Sequence, residues 1–60
     1  MRIPPYRYAD QLVRASGLLV SRDDVRSVEY LPNGFYRVDW RSGLVECFER
    51  DAAGNFTRRH

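Results

Sequence analysis

The sequence contains no lysine, one histidine and one cysteine, and these shortages argue against several classes of function. The histidine is residue 60, at a chain end where side chains are least often ordered, so we do not expect acid–base catalysis by histidine. The lone Cys47 excludes an intramolecular disulfide and gives no cysteine cluster for zinc. A glycine-rich phosphate loop is also absent. We therefore expect a protein that is not an enzyme and that uses no metal or other cofactor.

Long apolar segments are missing as well. The longest apolar run is Leu18-Leu19-Val20, whereas a helix that spans a bilayer needs roughly 20 apolar residues. The first residues lack the apolar region of a signal peptide. We expect a soluble, cytoplasmic protein with no membrane partner.

What the sequence does contain is typical of a small globular domain. Its 60 residues are 43% hydrophobic and 13% aromatic, and a chain of this length buries only about 60% of its unfolded surface. A binding partner or a second copy would therefore add useful stability. All ten basic residues are arginines, but acidic residues are scattered among them and the net charge is only +2. The electric field that a nucleic acid would feel is correspondingly weak.

Hydrophobic periodicity predicts a small α+β domain over residues 1–60, in which a short N-terminal helix packs on a three- to four-stranded antiparallel β-meander. Residues 8–17 have the helical spacing, with Gly17 as the stop. Residues 18–20 fit either a short strand or a continued helix, and residues 21–24 either a turn or a capped helical turn; we prefer a strand followed by a turn. The period of two predicts three strands and one short edge strand, over residues 25–31, 35–41, 44–50 and 56–58.

The first hairpin turn determines how the first two of these strands pair. Pro32-Asn33-Gly34 suits a three-residue loop with glycine in the left-handed position. This loop pairs Val28 with Val38 and Tyr30 with Tyr36, which places all four on one face. A two-residue Asn33-Gly34 turn would shift the pairing by one residue and mix the two faces, so we reject it.

The second turn, Ser42-Gly43, suits a two-residue loop that pairs Trp40 with Val45 and Val38 with Cys47. The apolar face of the sheet then contains Trp40, expected to be buried, and Cys47 as a small buried hydrophobe. The opposite, outer face is predicted to contain five residues suited to partner binding: Phe35, Arg37, Arg41, Phe48 and Arg50.

Aromatic and arginine side chains are enriched at protein interfaces, so we predict a protein-binding module that uses this outer face. Nucleic-acid binding through the same face is the alternative, since bases stack on aromatic rings and Arg neutralises phosphate. A homodimer formed through an uncovered edge strand is a third hypothesis. The basic termini, which comprise Arg2 to Tyr8 and Arg58-Arg59-His60, form a second candidate surface.

The small size and lysine-free composition resemble those of proteins encoded by phages or mobile elements of GC-rich bacteria, including inhibitors of host defence such as anti-CRISPR proteins. This resemblance implies an inhibitor that acts by binding a host protein.

Overall fold

The computed structural model describes residues 1–59, which form one small α+β domain with a single antiparallel sheet. Its elements in chain order are β1 (Arg2–Ile3), α1 (Ala9–Ser16), a 3₁₀ turn (Arg22–Asp24), β2 (Val25–Tyr30), β3 (Tyr36–Trp40), β4 (Val45–Arg50) and β5 (Phe56–Arg58). Neighbouring strands in the chain are neighbours in the sheet, in the order β1-β2-β3-β4-β5. The predicted fold class is confirmed. Over residues 1–59 the sheet has five strands, one more than the upper prediction, since β1 adds to the edge at β2. With two residues, β1 is too short to show a period in the sequence.

The helix α1 covers part of one sheet face and ends at Gly17, whose φ of 70° is left-handed. Its buried residues are Ala9, Leu12 and Ser16. The Ser16 hydroxyl donates to the carbonyl of Val13 at 2.8 Å and accepts the N–H of Leu18 at 3.1 Å, so it satisfies backbone groups at the helix end. In residues 1–59, no helix is long and apolar enough to cross a membrane.

The strand predicted over residues 18–20 is wrong, since this segment is irregular. Its first N–H is already bonded to Ser16, and β1 takes the sheet edge beside β2. Leu18 and Val20 pack partly against the core, whereas Leu19 is fully exposed. A 3₁₀ turn follows, in which the Asp24 carboxylate accepts the N–H of Ser21 at 2.9 Å. Of the two interpretations of residues 21–24, the capped helical turn is the correct one.

The first hairpin has the predicted register. Val28 lies opposite Val38 and Tyr30 opposite Tyr36, and the loop is closed by bonds from Leu31 N–H to the Phe35 carbonyl and from Gly34 N–H to the Leu31 carbonyl. A bulge at residue 26 shifts the pairing near the start of β2, so that Val25 meets Trp40.

The second hairpin differs from the prediction by one residue. The Trp40 N–H bonds to the Leu44 carbonyl at 2.8 Å and the Gly43 N–H bonds to the Trp40 carbonyl at 2.9 Å, so the loop contains three residues, 41–43. Gly43 has φ of 99°, as the last loop position of such a hairpin requires. Tyr36 is therefore opposite Phe48, and Val38 is opposite Glu46.

This shift exchanges the two faces of β4. Phe48, expected on the outer face, is 0% exposed in the core, while Cys47, expected in the core, is half-buried on the outer face. The change has a physical reason, because a phenylalanine side chain buries far more apolar area than a thiol. The prediction that Trp40 is buried is confirmed. The core consists of Ala9, Leu12, Val25, Val28, Val38, Trp40, Phe48 and Phe56.

Candidate functional site

The structure separates the five residues that the sequence grouped on one face. Phe35 and Arg37 do lie on the outer face, the sheet face opposite α1, and Arg41 is exposed in the second hairpin loop. Phe48 is in the core and therefore cannot contact a partner. Arg50 lies on the α1 side of the sheet, beside Phe56 of β5. Both corrections follow from the one-residue register shift.

The outer face is open, and two ion pairs lie on it, although Oδ1 of Asp39 is buried without a hydrogen-bond partner in residues 1–59. Arg37 lies 3.6 Å from the Asp39 carboxylate, and Arg59 lies 3.0 Å from that of Glu49. The guanidinium of Arg59 also stacks over the ring of Phe35, with 4.5 Å to the ring centroid. Positive and negative side chains are therefore interleaved on this face, which makes it a poor platform for a polyanion.

A second surface lies on the α1 side of the sheet, where Arg7, Tyr30 and Arg50 are exposed and Tyr8 and Tyr36 are half-buried against the core. It consists of three tyrosines and two arginines, and we call it the tyrosine patch: Arg7, Tyr8, Tyr30, Tyr36 and Arg50. The ring centroids of Tyr30 and Tyr36 are 4.9 Å apart, and those of Tyr36 and Tyr8 are 6.4 Å apart. The five side chains therefore form one continuous surface.

Arg50 is fixed in the tyrosine patch by several contacts. Its guanidinium lies 4.8 Å from the ring centroid of Tyr8 and 5.4 Å from that of Phe56. Nη1 donates to the Tyr8 hydroxyl at 3.3 Å, and Nε donates to the carbonyl of Gly54 at 3.2 Å. The hydrogen bond from Arg50 lowers the pKa of Tyr8, and hydrogen bonds to Tyr36 and Tyr8 raise the pKa of Arg50. The charge is thus held in place before any ligand arrives, which reduces the entropy lost on binding.

Arg7 also lies over Tyr8, with 5.6 Å between its guanidinium carbon and the ring centroid. Tyr8 therefore has an arginine on the helix N-terminal side and another on the sheet. From the sequence, Arg7 is expected in the basic N-terminal segment, Tyr8 in that segment and at the start of the predicted helix, and Arg50 on the outer face, which is wrong. The sequence does contain a pattern that indicates the correct register of the second hairpin. In residues 1–59, glycine is the last residue of a three-residue loop in each of three hairpins, at Gly34, Gly43 and Gly54.

The other predicted basic terminus forms part of the sheet. Arg58 is in β5 and pairs with Glu46, while the Arg59 N–H bonds to the Cys47 carbonyl at 2.8 Å. His60, the last member of that segment, lies outside the described residues. Within residues 1–59, His, Cys, Asp and Glu side chains form no group of three or more that could hold a metal ion.

Comparison with protein-family models, with curated proteins and with solved structures gives no match.

Proposed function

We propose that this protein is a small, non-enzymatic module that binds a partner protein through the tyrosine patch. The observation that carries the proposal is the clustering of Tyr8, Tyr30 and Tyr36 with two arginines on one open surface. This surface replaces the outer face as the predicted interface, since Phe48 is buried and Arg50 belongs to the tyrosine patch.

The chemistry of the patch is that of a binding hot spot. Tyrosine and arginine are the residues, together with tryptophan, that dominate measured interface energies. Tyrosine offers a large rigid ring at a low cost in side-chain entropy, and its hydroxyl can bond to a partner. Tyr30 is 39% exposed, so part of an aromatic ring faces solvent in the free protein. A partner that covers it removes apolar surface from water.

The ring geometry favours a protein over a single-stranded nucleic acid. Bases stack on open ring faces, but here Tyr36 and Phe56 meet edge to face at 89°, and Tyr8 and Tyr36 at 83°. One side of the Tyr8 ring is covered by Arg50. Neighbouring rings and Arg50 thus occupy part of the ring faces, which leaves less open face for base stacking than a flat aromatic platform offers.

Within this class we favour an inhibitor that blocks a host protein's surface and is encoded by a phage or mobile element. The support is the length of 60 residues and the absence of lysine. Self-association is less favoured, because the edge strands β1 and β5 contain only two and three residues and offer little backbone to a second copy.

The test is affinity capture from lysate of the encoding organism, with and without nuclease, read by mass spectrometry. The tagged wild type is compared with Tyr30→Ala and with the outer-face control Arg37→Ala, after each variant has shown a cooperative unfolding transition. We expect one protein that resists nuclease, whose yield falls about fivefold or more with Tyr30→Ala and changes less than about twofold with Arg37→Ala.

Two results would overturn the proposal. The first is captured material that disappears with nuclease, which would indicate nucleic-acid binding. Alternatively, Arg37→Ala reduces capture as strongly as Tyr30→Ala, which places the interface on the outer face.

A further inference from the structure

We infer that the tyrosine patch recognises an acidic segment of its partner protein, with a carboxylate bound beside Arg7 and Arg50. The inference rests on the proposed function and specifies the partner's chemistry. Two observations support it: neither arginine has a carboxylate partner in residues 1–59, and both lie over the ring of Tyr8.

Four arginines lie within ion-pair distance of a carboxylate in residues 1–59: Arg22 with Asp10, Arg37 with Asp39, Arg58 with Glu46 and Arg59 with Glu49. Arg7 and Arg50 are not among them, and neither are Arg2, Arg14, Arg26 and Arg41. Arg7 and Arg50 are distinguished from these four because both lie over the ring of Tyr8. The polar contacts of Arg50 within this part of the chain are with neutral groups: the Tyr8 hydroxyl, the Gly54 carbonyl and the Tyr36 hydroxyl. The two positive charges of the patch are therefore balanced by no ion pair in the described residues.

The nearest acidic neighbours in the sequence do not fill this role. Glu49 points to the outer face and pairs with Arg59. The Asp51 carboxylate accepts the N–H of Asn55 at 2.9 Å and so stabilises the third hairpin turn. Asp10, on α1, lies 3.8 Å from Arg22 of the 3₁₀ turn.

The geometry at Tyr8 gives the position of the bound carboxylate. Both guanidinium groups lie over this ring, at 4.8 Å for Arg50 and 5.6 Å for Arg7. A carboxylate placed beside them can accept N–H groups from either arginine, and the phenol hydroxyl offers a further donor. The hydrogen bond from Arg50 and the charges of both arginines lower the pKa of Tyr8, as expected for a phenol between two cations. Tyr30 and Tyr36 then provide contact area for apolar residues next to the acidic one.

The experiment uses fluorescence anisotropy of the full chain with a labelled acidic peptide of about ten residues, in which aromatic residues alternate with glutamates. Its control is the same peptide with every glutamate replaced by glutamine. We expect the amide peptide to bind about tenfold more weakly, and Arg50→Gln to weaken binding of the acidic peptide about fivefold. Arg37→Gln on the outer face, an arginine that already has a carboxylate partner, should change binding less than about twofold.

Equal affinity for the acidic and amide peptides would overturn the inference. So would a single-stranded thymidine oligonucleotide of similar length that binds more tightly than the acidic peptide and depends on Arg50.

The capture experiment separates this inference from the proposed function. A partner whose capture depends on Tyr30 but is unaffected by the double substitution Arg7→Gln with Arg50→Gln would contradict the acidic segment and leave the protein-binding module standing. A partner that is insensitive to both changes would overturn both.

Discussion

The indole N–H of Trp40 donates a 2.8 Å hydrogen bond to Oε1 of Glu46, on the strand beside it. The other carboxylate oxygen lies 3.4 Å from Nη1 of Arg58, which also donates to the carbonyl of Ser16 at 3.1 Å. Only 10% of the Glu46 side chain is exposed. The carboxylate thus links β3, β4 and β5, and the arginine cation stabilises the C-terminal end of α1. These bonds allow a glutamate to sit on the core face of the sheet.

Replacing Glu46 with Ala should lower the free energy of unfolding by about 1–3 kcal/mol, because it leaves the buried indole N–H without an acceptor. Glu46→Gln should cost less, since the amide oxygen can still accept that bond. Urea denaturation followed by circular dichroism measures the difference. The matched control is Glu49→Ala, whose ion pair with Arg59 is exposed, and whose loss should cost less than about 1 kcal/mol. Equal effects of Glu46→Ala and Glu49→Ala would mean that Glu46 is not on the core face.

Phe48→Ala and Val45→Ala together test the register of β3 against β4. Phe48 is fully buried, so its removal should cost about 3–5 kcal/mol, or unfold a domain of this size. Val45 is 47% exposed on the outer face, and its truncation should cost less than about 1 kcal/mol. The register expected from the sequence would place Val45 inside and Phe48 outside. Thermal unfolding of the two variants distinguishes the alternatives. If Val45→Ala destabilised the protein more than Phe48→Ala, the register predicted from the sequence would be the correct one.

The difference between the two hairpins shows what the sequence determines locally. Pro32-Asn33-Gly34 fits one loop, and shifting its register would mix apolar with charged residues, so local chemistry and face pattern agree. Ser42-Gly43 fits a two-residue loop or the end of a three-residue one. The face pattern of β4 does not decide between them, because Glu46 alternates with Phe48 on one face and Glu49 with Cys47 on the other. The choice depends on contacts with β3, β5 and α1, which are remote in sequence.

The candidate site could be predicted only in part for the same reason. The shared face of Tyr30 and Tyr36 follows from the first hairpin and is confirmed. Whether α1 covers that face depends on where an eight-residue helix packs, and periodicity carries no information about this position. Arg50 belongs to the patch only because the register of the second hairpin places its side chain on the α1 side of the sheet.

Gly43→Ala should destabilise the protein by about 1–2 kcal/mol, because an L-residue with a side chain is strained at its φ of 99°. A steric clash is not the cause of this loss, since a Cβ at this position would meet no atom within 4 Å. For a domain of this size the loss corresponds to a fall in Tm of roughly 4–16 °C. Gly43→Asn should cost less, because asparagine tolerates left-handed backbone better than alanine. An alanine variant with the wild-type Tm would show that Gly43 does not have a positive φ, and hence that the three-residue loop is wrong.

The phenol of Tyr8 should ionise below its ordinary pKa of 10.0, because the hydrogen bond and charge of Arg50, together with the charge of Arg7, favour the phenolate. Since the pKa is lower in the folded state than in the unfolded chain, ionisation adds stability as pH rises through the folded pKa. That contribution is fully present above the unfolded value and is lost below the folded one.

NMR titration of ¹³Cζ-labelled tyrosine measures this pKa directly. Arg50→Gln should move the Tyr8 pKa upward, and the outer-face control Arg37→Gln should leave it where it is. The wild type should also gain stability relative to Tyr8→Phe as pH rises through the Tyr8 pKa. A Tyr8 pKa that Arg50→Gln does not change would mean that the guanidinium does not contact the phenol in solution. The fixed charge on which recognition of an acidic partner depends would then be absent.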